Sequence, residues 1–323
     1  MLDEKENIWN GFESRLGRIN PDNRHCLPDF LVISPPRTAS TWLATNLDCH
    51  PDVFVPEKKE IHYFNNFWRT MDINWYLQHF KNTQKLKKGE ATPSYSILPL
   101  QMIWFIKSIA PNMKIVFIMR EPVERAWSEI KHNHAEGLGY FGLLRDRKFI
   151  DIPEEYLVEG LTLNNFILAH SDYMGCINRW LSVFSRDQIY IGFYENMVKN
   201  PRKMLGEVFA FLGVTEEVNW QGFRSHEKIN VGLEARIPSQ LKAFLVSIFR
   251  EKSDNLSHFL NARFQASVPL EWESMLNANP ALTRFTDKYK SEWVEIFREG
   301  YSDEHLKFIL NTCPLSYPDQ ATM

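Results

Sequence analysis

The stretch from Leu31 to Leu43, LVISPPRTASTWL, constrains the fold more than any other part of the 323-residue chain. Leu31, Val32 and Ile33 form a short apolar run of the kind that becomes a buried strand. Pro35 and Pro36 end it, and Arg37, Thr38, Ala39, Ser40 and Thr41 lead into a helical stretch from Trp42 to Leu47. A strand, a tight turn and a helix start aim several backbone N–H groups and the positive end of a helix at one spot. Arg37 adds a fixed cation and the hydroxyls add donors, so the natural occupant is a phosphate or a sulfate. The nucleoside triphosphate loop, with its glycines and a GK pair before Ser or Thr, is missing, and so is GxGxxG. The plain alternative is an ordinary strand-turn-helix capped by Ser40 or Thr41.

Other segments continue the alternation of strand and helix. Residues 53–55 read as a second strand, KIVFIM at 114–119 as a buried parallel strand, and QIYIGF at 188–193 as another. Helix spacing marks 74–80, 100–109 and 161–184, and a helix over 200–212 starts at Pro201 and ends at Gly213. GEATPSY at 89–95 reads as a loop from its Gly, Pro and Ser content. Residues 1–27 read as a polar lead-in with a short helix, and 235–312 as mostly helical. The expected fold is α/β: a parallel central sheet flanked by helices through right-handed crossovers, with a mostly helical C-terminal third.

Composition narrows the functional classes. A chain that is 44% hydrophobic and 24% charged suits one large globular domain. A net charge of −3 gives no reason to expect nucleic acid. Cys26, Cys49, Cys176 and Cys313 have no metal-ligand spacing and are expected to be reduced thiols, with no metal bound. The N-terminal residues carry charge and no apolar core of a signal peptide, and no apolar run approaches a membrane span. A cytoplasmic protein is the expectation.

A second constellation comes after the strand KIVFIM. Arg120 stands directly behind it, then Arg125, then Ser128 at the start of a helix. In open parallel sheets ligands sit at the carboxyl ends of the strands, which places Arg120 on the same edge as Arg37. Arg120 with Ser128 offers a charge-assisted site for a second phosphate; a solvated charged loop is the alternative. Two such sites on one edge suggest a ligand with two separated phosphate groups.

PPRTASTWL and REPVERAWS together resemble the two signature motifs of the sulfotransferases that use 3′-phosphoadenosine 5′-phosphosulfate (PAPS). KEIHYF at 59–64 is similar to the KE-x-x-FF element of the heparan-sulfate branch, and GEATPSY to its GE-x-T/S-P-x-Y element. Tyr173, Trp180 and QIYIGFYENM match the pattern further on, so the resemblance covers roughly 28–215. Arg37 stands where the family usually has Lys, Ala39 where it has Gly and Ser40 where it has Thr.

The resemblance implies a P-loop-like sulfotransferase fold, with 28–323 as a single domain: 28–215 for the cofactor and 216–323 as an acceptor-side or lid region. It implies PAPS as donor, adenosine 3′,5′-bisphosphate (PAP) as product and no metal. Arg37 would steady the leaving group, and the turn from Thr38 through Ala39, Ser40 and Thr41 to Trp42 would hold the 5′-phosphate. Arg120 and Ser128, helped by Tyr173, would hold the 3′-phosphate. FRSHEKINVG at 223–232, with Arg224 and Lys228, is the candidate third cofactor segment. Glu60 is the candidate general base, with His62 beside it. Lys59, Glu90, Thr92, Tyr95 and His134 are placed on the acceptor side, and His132 and His134 are rival bases. The expected acceptor is a hydroxyl of a carbohydrate or glycolipid; a small molecule or carrier-bound acyl chain is the alternative, and a non-catalytic nucleotide binder the third reading.

Overall fold

The structure, a computed structural model, describes residues 16–163, 165–227, 229, 232–273 and 292–312. Five parallel strands form one sheet: β1 Phe30–Val32, β2 Val53–Phe54, β3 Lys87–Ala91, β4 Lys114–Met119 and β5 Ile189–Phe193. Their order is β2-β3-β1-β4-β5, so β1 is central, with Leu31 opposite Glu90 on one side and Ile115 on the other. The main helices are α1 Ser40–Asp48, α2 Ile73–Gln78, α3 Leu100–Ile109, α4 Pro122–Ala135, α5 Glu154–Leu163, α6 Asn165–Ser171, α7 Tyr173–Leu181, α8 Pro201–Leu212, α9 Ser239–Phe264, α10 Glu292–Glu299 and α11 Asp303–Thr312.

β1 and β4 read as apolar runs because both faces of the sheet are covered there. Leu31, Ile33, Ile115, Phe117 and Met119 point into a core with α3, α4, α7 and α9. Phe30, Val32, Val116 and Ile118, one residue out of phase, meet Trp42, Leu43 and Leu47 of α1 and Leu205, Val208 and Phe209 of α8. Each such side chain, fully buried, stabilises by roughly 1.5–3 kcal/mol relative to exposure, which fixes the sheet register from both sides. The C-terminal helices join the first core rather than forming their own: Phe244, Phe249, Trp272, Phe297 and Ile309 belong to it. Trp272 packs its ring 6.0 Å from Phe193 at the end of β5.

Two expectations are corrected. The segment read as a loop at 89–95 begins inside β3, which runs from Lys87 to Ala91 between β2 and β1. Its Gly89 is required by close approach, since a Cβ there would stand 2.4 Å from the Phe30 carbonyl oxygen. The single helix read over 161–184 is instead divided among α5, α6 and α7. The break before α7 falls at Asp172, whose ψ of 64° lies outside the helical range and whose buried carboxylate is 3.1 Å from Lys252 of α9.

No described helix is long and apolar enough to cross a membrane, and no described cluster of His, Cys, Asp and Glu could hold a metal. Cys26, Cys49 and Cys176 are free thiols; Cys313 lies outside the described residues.

Candidate active site

All five strands point the same way, so the loops leaving their carboxyl ends gather along one sheet edge. After β1 comes the turn 33–39. Ser34 Oγ accepts the Ile118 N–H at 2.8 Å, and Thr38 Oγ1 donates to the Pro35 carbonyl at 2.7 Å, so hydroxyls anchor the turn at both ends. Arg37 and Ala39 both have φ of 68°, the left-handed region that a residue with a Cβ enters at a cost. Ala39 is the N-cap residue of α1. This reversal of hand curls the N–H groups of the turn and of the first α1 residues towards one point, an anion nest at the positive end of a nine-residue helix.

Two arginines from α4 and its approach hold the outer side of that turn. Arg120 donates to the Arg37 carbonyl at 3.3 Å, and Arg125 donates to the Pro36 carbonyl at 3.3 Å. Arg37 Nε lies 3.2 Å from Ser128 Oγ, so the two sequence constellations meet directly. Burial lowers the Arg37 pKa, partly opposed by Glu129, and Arg120 nearby lowers it further. Arg120 also lies over the Tyr194 ring, 4.6 Å from its centroid, where β5 ends. A cleft beside them is lined by Arg120, Tyr194 and Lys242 together with the carboxylates of Glu121, Glu124, Glu195 and Glu271.

The loop after β2 brings Glu60 to the same edge. Lys59 Nζ lies 2.7 Å from Thr41 Oγ1 of α1 and 3.0 Å from Glu60 Oε1, while His62 Nε2 lies 3.2 Å from Glu60 Oε2. Both Glu60 and His62 have positive φ, 61° and 56°, strain of about 1–3 kcal/mol each that the surroundings must hold. Burial pushes the Glu60 carboxyl up; hydrogen bonding from His62 and the charge of Lys59 outweigh it and bring the pKa to about 2. Glu60 is therefore an ionised carboxylate clamped from both sides.

Some expected site residues stand behind this constellation instead of in it. Glu90 is only 2% exposed and accepts hydrogen bonds from Thr92 at 2.7 Å and Tyr95 at 3.0 Å, both fully buried. The Tyr95 hydroxyl in turn accepts the Phe64 N–H at 3.3 Å, so the trio braces the strained 60–64 loop. Burial raises the Glu90 pKa, partly offset by those hydroxyls. The acceptor-side expectation for Glu90, Thr92 and Tyr95 is thus corrected: no surface is left to meet an acceptor. His134 is buried with Nε2 3.0 Å from the Leu144 and Arg147 carbonyls, tying α4 to the next turn, which removes it as a base or acceptor contact. Tyr173 is buried and donates to the Arg120 carbonyl at 2.7 Å, so it positions Arg120 and does not itself face a ligand. Its burial raises the hydroxyl pKa well above the usual tyrosine value.

His132, by contrast, is half-buried and senses the site: burial lowers its pKa, and the charge of Arg37 lowers it further. Of the segment 223–232, the Ser225 carbonyl accepts the Trp42 indole N–H at 3.2 Å, and a Cβ on Gly232 would stand 3.5 Å from Arg37 Nη2, so these two residues adjoin the nest. Arg224 pairs with Glu227 at 2.6 Å on an exposed surface, and Lys228 lies outside the described residues. Two further residues shape the site without having been assigned a role from sequence, Arg125 and Tyr194. The Arg125–Glu129 spacing of i,i+4 and the position of Tyr194 at the end of an apolar strand were the available signals.

The donor set suits an anionic ligand. Arg37, the turn amides and Thr41 adjoin Arg120 and Ser128 in one cluster of donors, through Arg37 to Ser128 and Arg120 to the Arg37 carbonyl. Comparison with known proteins agrees in family. A Sulfotransferase domain matches residues 27–287. The membrane-associated sulfotransferase kil1 of Dictyostelium discoideum is 24% identical over 319 residues, covering 74% of this chain and 66% of that protein. The bifunctional heparan sulfate N-deacetylase/N-sulfotransferase 1 of Mus musculus is 27% identical, covering 68% of this chain and 26% of that protein. The chain thus spans less than two thirds of either relative. In fold it is similar to a sulfotransferase from Alicyclobacillus acidocaldarius, with a TM-score of 0.57, 20% identity, and coverage of 76% of this chain and 98% of that one. With most of its length matched by that domain, the chain belongs to the sulfotransferase family.

Proposed function

We propose that the chain transfers a sulfuryl group from PAPS to an acceptor hydroxyl by in-line displacement, with Glu60 as general base. One observation carries this reading: Lys59 joins Thr41 of the anion nest to Glu60, through contacts of 2.7 and 3.0 Å, so an anion binder and a carboxylate base share one side chain. Catalysis of this kind is positioning plus charge stabilisation. Arg37 and the amides of the turn would balance charge building on the leaving phosphate oxygen. Arg120, braced by Tyr173 and Tyr194, would fix the 3′-phosphate with Ser128. Glu60 would take the acceptor proton as the new O–S bond forms and the donor's bridging O–S bond breaks. General-base help of this sort is worth ~10²–10⁴ in rate.

A carbohydrate acceptor is favoured by the relatives named for heparan sulfate N-sulfotransferase activity. A second base is favoured by one observation: His132, with a lowered pKa beside Arg37, is a neutral imidazole at pH 7 on the same side of α4 as Ser128, one turn on. The test is transfer of labelled sulfate from PAPS to a panel of sugar, lipid and small-molecule alcohols. Glu60→Gln should bind PAP normally and lose at least a hundredfold in rate. A wild-type rate moves the base to His132, and no transfer to any acceptor supports a nucleotide-binding role instead.

A further inference from the structure

Lys59 occupies a place in this site that neither nest nor base explains alone. Its ammonium is shared between Thr41 Oγ1 at 2.7 Å and Glu60 Oε1 at 3.0 Å. Its side chain is 21% exposed and that of Glu60 24%, so both can be reached from solvent. The other Glu60 oxygen is held by His62, whose ring is nearly enclosed and whose Nδ1 lies 3.3 Å from Asn65 Oδ1. Of the two carboxylate oxygens, Oε1 is therefore the one whose partner sits on a long, flexible, four-carbon stem. Oε2 is tied to a short ring locked in a buried loop.

A carboxylate clamped in this way is poorly suited to take a proton. Its pKa of about 2 leaves it far more acidic than the range near neutrality where a general base works best. The titratable groups facing it are Lys59 and His62 from its own loop, His132 from α4 and His170 from α6. His170 is buried with Nδ1 2.8 Å from Ser96 Oγ and is fixed there. Lys59 is the member of this set that also touches the nest. An anion arriving at the turn adds negative charge beside Thr41, and Lys59 is a strongly attracted point charge already in contact with that residue.

We propose that Lys59 is a mobile positioning cation that couples donor binding to the base: a phosphosulfate at the nest draws the ammonium off Glu60 Oε1, freeing that oxygen to accept the acceptor proton. This rests on the donor reading above and adds an order to it, donor before proton transfer. In the step itself the acceptor O–H proton passes to Oε1 and the acceptor oxygen bonds to sulfur. The donor O–S bond breaks with its electron pair on the phosphate oxygen. Lys59, now beside that oxygen, offsets the charge it gains.

The test follows the Glu60 carboxyl directly, by its ¹³C resonance in protein labelled at glutamate and assigned with Glu60→Gln, with and without PAP. In the wild type PAP is expected to raise the Glu60 pKa by at least one unit more than in Lys59→Met, a difference of tenfold or more in proton affinity. In Lys59→Met without PAP the value should already be raised, and Lys59→Arg should restore most of the wild-type response. A PAP-induced shift of equal size in wild type and Lys59→Met overturns the proposal, because the phosphates then act through space alone. Binding of PAP with no shift in the wild type overturns it too. Absence of PAP binding by calorimetry overturns the donor reading itself, and the two failures are told apart by that titration.

Discussion

Arg125 makes the most quantitative case that the donor turn is held from behind. Its side chain is fully buried on α4. The guanidinium donates to the Pro36 carbonyl at 3.3 Å, the Ile167 carbonyl at 2.6 Å and Ser171 Oγ at 2.6 Å, and it pairs with Glu129, itself buried. Arg125→Met removes the cation and strands the Glu129 carboxylate, which costs about 3–5 kcal/mol. The Ile167 carbonyl keeps a partner in Ser171 Oγ at 2.8 Å, so the Pro36 carbonyl is the main acceptor orphaned, for about 1–3 kcal/mol more. The double variant Arg125→Met, Glu129→Met has no stranded charge and should recover most of the first amount, leaving a loss of about 1–3 kcal/mol. Urea unfolding followed by tryptophan fluorescence measures both. A double variant no more stable than Arg125→Met refutes the reasoning, because the buried pair would then not be the source of the cost. The folded double variant should still bind PAP more weakly than wild type, since Pro36 precedes Arg37 in the nest.

Other outcomes come from strain and burial. Ala39→Gly relieves a left-handed residue with a Cβ, worth about 1–2 kcal/mol, against about 0.4–1 kcal/mol of added unfolded-chain entropy. A small rise in Tm is expected in calorimetry, and a fall contradicts the strained turn. Glu121 caps α4 by accepting the Val123 N–H at 3.2 Å and the Glu124 N–H at 2.6 Å, yet burial raises its pKa to about 7. The folded state therefore holds a proton that the unfolded state has lost between about pH 4.5 and 7, and stability drains away as pH rises through that window. Glu121→Gln should flatten this decline, so its Tm relative to wild type should be more favourable at pH 8 than at pH 5; an equal difference at both refutes the assignment.

The parts of this molecule that could be read from the sequence were those governed by local pattern. KIVFIM is legible because both faces of its strand are buried, Arg37 and Arg120 because each follows the end of such a strand, and Ser128 because it lies on the helix that comes after Arg120. KKGEA was not legible, since Gly89 answers to the Phe30 carbonyl across the sheet, a contact between residues far apart in the chain. The partner of the Asp172 carboxylate, Lys252, comes from a distant helix, and the roles of Glu90 and His134 depend on which surfaces close over them. In each case the fold around the residue decides, so composition and periodicity carried no trace of it. Lys59 was legible as a neighbour of Glu60, but its bond to Thr41 was not.

The central claim, that this sheet edge binds a nucleotide with phosphates at both 3′ and 5′ positions, is tested most directly by calorimetric titration of PAP beside AMP into wild type and Arg120→Ala. The account predicts one PAP site, weaker binding of AMP, and a loss of about 1.5–3 kcal/mol in PAP affinity for Arg120→Ala that exceeds the loss for AMP, whose 5′-phosphate feels only the lost brace on the Arg37 carbonyl. AMP binding as tightly as PAP, or an Arg120→Ala variant with wild-type PAP affinity, contradicts it.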